Sequence, residues 1–99
     1  MDTTIKENWF NLSLPEQMVN IGNEVKRAFR FDGNVEKQKP FIEKAIQYNE
    51  LSISDPKNLS CKKELEIGSM ILRDYIGNRT LDCTKEQILN YYLAFTNLL

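Results

Sequence analysis

The chain has 99 residues with 13 basic and 14 acidic side chains, a net charge of −1, and this length supports a single domain with one core rather than two. Near-neutral charge removes the electrostatic case for a general nucleic-acid or membrane-surface binder, and the lack of any histidine removes His-based triads, acid–base catalysis and metal sites. At 41% hydrophobic and 27% charged residues, the composition is that of a globular domain and not of a disordered tail.

In chain order, residues 1–12 carry acidic and polar side chains where a secretory signal would need a basic start and an unbroken apolar run. This segment is expected to pack across an open end of the fold through Trp9 and Phe10. Ser13-Leu14-Pro15-Glu16 is the first strong signal: Ser13 can cap a helix, Pro15 fits its first turn, and Glu16 can close a capping box. Leu14, Met18, Ile21, Val25, Ala28 and Phe29 then recur at helical spacing, predicting a helix over 14–31 that Asp32-Gly33-Asn34 stops.

A second helix is predicted over 35–54, with Phe41, Ile42, Ala45, Ile46, Tyr48 and Ile53 on its apolar face. Pro40 either marks its start or kinks its first turns, since proline removes a backbone bond and crowds the preceding turn. Asp55-Pro56-Lys57-Asn58 is a break, and a third helix is predicted over 59–76, burying Cys61, Leu65, Gly68, Leu72, Tyr75 and Ile76 with Met70 and Ile71 beside the stripe. Gly68 costs about 1 kcal/mol relative to Ala in such a position, tolerable where a neighbouring helix crosses closely. Gly77-Asn78 is expected to supply a left-handed helix end. Thr84 and Gln87 form a second capping box, opening a fourth helix over 85–98 with Ile88, Tyr91, Tyr92, Phe95 and Leu98. Short connections and the lack of any strand pattern predict an all-α, antiparallel up-and-down four-helix bundle.

Chemistry-bearing patterns are sparse. No two acidic residues stand three apart, and the four-apart pairs, Asp32 with Glu36 and Asp82 with Glu86, sit at helix starts where they complement the dipole. The four glycines are isolated, so there is no phosphate-binding loop and no cofactor motif. Catalysis is not expected. Cys61 and Cys83 are expected to be free, partly buried thiols in a reducing compartment, and with no 18-residue apolar run the protein is expected to be cytoplasmic, without membrane attachment.

Three groups are candidates for function. Glu24 and Arg27 flank the first predicted stripe, and Arg73 and Asp74 flank the third. If those helices adjoin, Glu24 meets Arg73 and Asp74 meets Arg27, as an ion-pair network that fixes register or as a ligand site. Lys26, Arg27 and Arg30 cluster at the end of the first predicted helix, complementing its dipole or contacting a phosphate or nucleic acid. Trp9, Phe10, Tyr91, Tyr92 and Phe95 are many aromatics for the two ends of a small chain; most are expected in the core, and a spare exposed strip among them would serve a protein partner or a homo-oligomer.

Trp9 with Leu12-Ser13-Leu14, Glu16-Gln17-Met18, Asn20-Ile21-Gly22, Glu24-Val25 and Arg27-Ala28 resembles a family of small prokaryotic all-helical proteins. The resemblance continues through Asp55-Pro56-Lys57-Asn58, Glu64-Leu65, Asp74-Tyr75, Gly77-Asn78 and Thr84, although Ser69-Met70 stands where that family carries an Arg-Glu pair. It implies a helical bundle and no particular activity. The expected function is therefore a non-catalytic interaction or homo-oligomerising module, with a nucleic-acid- or nucleotide-associated protein as the alternative.

Overall fold

A computed structural model describes residues 3–31 and 33–94. Within them lie five α-helices: α1 (Thr3–Phe10), α2 (Leu14–Phe29), α3 (Val35–Ser54), α4 (Lys62–Tyr75) and α5 (Lys85–Leu93), with a 3-10 helix, Pro56–Cys61, ahead of α4. The all-helical class is as expected. The count differs from four, because α1 is itself a helix.

Local chemistry sets most of the boundaries. At α2, Glu16 N–H donates to Ser13 Oγ at 3.3 Å and Ser13 N–H donates to Glu16 Oε1 at 3.0 Å, which satisfies two otherwise orphaned donors. The helix stops two residues short of its predicted end because Arg30 and Phe31 bond back only three residues, to Arg27 and Ala28, tightening the last turn. Gly33 then turns the chain at a φ of 78°, a conformation that favours glycine. The second predicted helix matches α3 at both ends. Asn34 caps it by accepting from Lys37 N–H at 3.2 Å, and Pro40 lies inside, in an exposed stretch where water can serve the carbonyl that proline cannot.

The third predicted helix divides. Asp55 accepts from Lys57 N–H and Pro56 follows it, so residues 56–61 wind as a 3-10 segment before α4 begins. At the far end of α4, the left-handed residues are Arg79 and Asp82, with φ of 55° and 51°, and not Gly77 or Asn78. Gly77 is required for a different reason: a Cβ there would stand 2.9 Å from the Arg73 carbonyl oxygen. Thr84 and Gln87 close the expected capping box on α5, while Phe95 and the rest of the predicted helix to residue 98 lie outside the described residues.

The core is a single cluster that includes Met18, Ile21, Val25, Ile42, Leu65, Leu72, Ile88 and Tyr92. Pairing follows α2 with α3, α3 with α4, and α5 with α2, while α1 lies on α3. Two glycines admit α5. A Cβ at Gly22 would stand 3.3 Å from Tyr92 Cβ, and one at Gly68 would stand 3.1 Å from Tyr91 Cε1 and 3.2 Å from the Tyr92 hydroxyl. The helix propensity lost at Gly68 thus makes room for a tyrosine, as its place in a buried stripe suggested.

Candidate functional site

The polar quartet does not assemble. Glu24 is 5% exposed, and its carboxylate accepts from Arg27 Nη1 at 2.6 Å on its own helix, with Lys44 Nζ of α3 at 3.9 Å. Arg73 Nη2 donates to Glu50 Oε1 on α3 at 2.8 Å. Asp74 accepts from Thr80 N–H, Thr80 Oγ1 and Leu81 N–H, tying down the loop after α4. The expected pairs Glu24–Arg73 and Asp74–Arg27 are therefore absent, because α3 lies beside both α2 and α4 and supplies Glu50 to Arg73, while Glu24 and Arg27 pair within α2 and Asp74 turns to its own loop. Glu24 and Arg27 do share a cleft of about 380 Å³ with Asn8, Asn23, Trp9 and Tyr48. Of the basic cluster, Arg27 is held by Glu24, while Lys26 and Arg30 stand exposed toward the end of α2.

Of the aromatics in the candidate partner face, those among the described residues are buried or half-buried. Trp9 is buried, stacks on Tyr48 at 4.6 Å, and donates from Nε1 to Ser52 Oγ at 2.9 Å. Tyr92 is only 1% exposed. Tyr91 is half-buried and its hydroxyl donates to the Glu64 carbonyl; burial, with Glu64 adding to it, pushes its pKa up to about 12. Phe10 is half-buried, packed against the core, and Phe95 lies outside the described residues. Trp9 and Tyr92 thus belong to the core, and Phe10 and Tyr91 pack against it, as large rings bury most of their area where helices have ends to cover.

A network that sequence reasoning missed joins α1, α2 and the 3-10 segment. Gln17, fully buried, donates from Nε2 to the Trp9 carbonyl and to Asp55 Oδ2, both at 3.0 Å, and accepts at Oε1 from Asn58 Nδ2 at 2.9 Å. Lys57 Nζ donates to Asp55 Oδ2 and to the Phe10 carbonyl. Burial pushes the Asp55 carboxyl up, but hydrogen bonds from Lys57 and Gln17 outweigh it and hold the group below the usual carboxylate range. Every member satisfies another, so this is a fastener, with no group turned toward a ligand.

An open, partly apolar surface lies between α3 and α4. A groove of about 670 Å³ is lined by Glu43, Ile46, Gln47, Glu50, Leu51, Arg73 and Ile76. A second hollow of about 350 Å³ shares Glu50 and Arg73 with it and adds Ile53, Glu66, Ser69 and Met70. Ile46 and Leu51 lie at the floor, Ile53 and Ile76 are half-buried, and Met70 is 53% exposed. The sequence signal was the placement of Met70 beside the α4 stripe; its meaning depends on how α3 packs, which periodicity alone does not give.

No helix of the described residues is long and apolar enough to cross a membrane, and among them no cluster of three His, Cys, Asp or Glu side chains could hold a metal ion. Cys61 and Cys83 are free and half-buried. No protein-family model, curated protein or solved structure matches the chain, so the functional reading rests on its own residues.

Proposed function

We propose that the protein is a non-catalytic interaction module that receives a helix of a protein partner in the groove between α3 and α4. The observation that carries this reading is the pair of adjoining hollows that meet at Glu50 and Arg73, in which Met70 is exposed and Ile53 and Ile76 are half-buried beside a floor of Ile46 and Leu51. Two packed helices leave such a trough along their seam, and an apolar helix face laid into it buries side chains from both walls. Methionine at the rim suits the task, because its unbranched, polarizable side chain adapts to the shape it meets. The free thiols support a reducing compartment such as the cytoplasm as the setting of the module.

The test is a photo-crosslinking amino acid at position 70 of the full chain, expressed in the native host, with the same group at the exposed Lys39 as control. A protein crosslinked from position 70 and not from position 39, through a peptide with helical apolar spacing, is the expected result. Crosslinks of equal yield from both positions, or none from position 70, overturn the placement. Met70 is exposed, so its replacement should move stability by no more than about 0.5 kcal/mol.

A further inference from the structure

From the charges around this groove, we infer that the incoming helix is cationic, and that Arg73 is the internal cation it displaces from Glu50. The inference rests on the docking reading above and specifies its partner. The groove is walled by three carboxylates, Glu43, Glu50 and Glu66, against one cation, Arg73. Glu43 and Glu50 are seven residues apart on α3, two turns along one side, or about 10 Å of rise. Ile46 and Ile53 have the same separation, so acidic and apolar positions repeat in step. A helix of about three turns matches the stretch from Glu43 to Ile53, which rises about 15 Å. Its apolar residues at i, i+3 or i+4 and i+7 meet the Ile, Leu and Met side chains, while Lys or Arg residues on its flanks meet the carboxylates.

Arg73 sits where the two hollows join. Its Nη2 reaches Glu50 Oε1 at 2.8 Å, and the two side chains are 60% and 45% exposed. An ion pair so open to water is weak, so a partner cation with apolar burial behind it can take over Glu50 while the long Arg73 side chain swings to solvent. Arg73 therefore opposes a cationic partner twice, as competitor for Glu50 and as a like charge. A partner flanked by carboxylates would find the opposite: Arg73 would attract it and three glutamates would repel it.

The experiment measures binding to the full chain, by fluorescence anisotropy, of two synthetic amphipathic helices of about 14 residues, long enough to span the groove. They share a Leu stripe and differ only in carrying Lys or Glu on the flanks. The Lys peptide should bind at least about tenfold more tightly than the Glu peptide, with an advantage that falls as salt is raised. Arg73→Ala should tighten the Lys peptide several-fold and Glu50→Gln weaken it, while Glu36→Gln, an exposed acid outside the groove, should leave it unchanged. Equal binding of both peptides, weaker binding by Arg73→Ala, or an equal loss in Glu36→Gln overturns the inference and leaves the docking reading standing. If neither peptide binds, both fall. Self-association of the chain that Met70→Glu abolishes would show a second copy in the groove and would overturn the inference too. Circular dichroism and the urea midpoint verify that the variants are folded, as their exposed sites lead us to expect.

Discussion

Asp55 shows how much one side chain can hold in a chain of this size. It ends α3, caps the 3-10 segment, and accepts from Gln17 and Lys57. Asp55→Asn would set a second amide donor against those donors, and should cost about 2–3 kcal/mol at neutral pH in urea unfolding. Because the folded carboxyl titrates below its unfolded counterpart, the unfolded chain binds more protons in acid, and stability falls as pH falls. The Asp55 contribution is complete above the unfolded carboxylate range near pH 4 and is lost as pH drops through the lower folded value. The asparagine variant should therefore show a shallower acid limb than the parent; an equally steep limb would place the acid sensitivity elsewhere. Tyr92 is the converse case. Its hydroxyl is buried without a hydrogen-bond partner, and burial pushes its pKa up. Tyr92→Phe should leave stability unchanged or raise it by about 1 kcal/mol, and a loss of more than that in the same assay would mean the hydroxyl is engaged.

At the scale of elements, the seating of α5 between Gly22 and Gly68 predicts a cooperative failure. Gly68→Val would drive a branched side chain into the Tyr91 ring edge and the Tyr92 hydroxyl, costing about 2 kcal/mol or more. Hydrogen exchange should then quicken in α5 before α2 and α3; uniform quickening would contradict this seating. Legibility of the elements follows the range of the interactions that make them. Ser13 with Glu16 and Thr84 with Gln87 act across three residues, so both helix starts could be read directly. The 3-10 segment could not, because Asn58 is held there by Gln17, 41 positions earlier. Likewise the fixed point of α1 is Trp9, stacked on Tyr48 and bonded to Ser52 in another helix, contacts that no local pattern encodes.

For the molecule as a whole, one fact of packing changed the candidate site: α3 lies beside both α2 and α4. The charges flanking the stripes were legible as a class, but their partners were not: Arg73 pairs with Glu50 on α3, Glu24 with Arg27 on its own helix and more distantly with Lys44 of α3, and Asp74 with the loop after α4. The same arrangement stacks Trp9 on Tyr48 of α3 and leaves Met70 and Ile53 at the seam between α3 and α4. The groove is thus a property of the assembled fold, composed of residues that belonged to no single predicted stripe.

The most direct test of the central claim, that the α3–α4 groove is the docking face, is an amide NMR map of the isotope-labelled full chain titrated with the Lys-flanked amphipathic peptide. The account predicts shifts confined to residues 43–53 and 66–76, with those around Lys26 and Arg30 and around Asn8 and Asn23 unmoved. Shifts centred on the α2 end or on the Glu24–Arg27 cleft, with the groove silent, would contradict it.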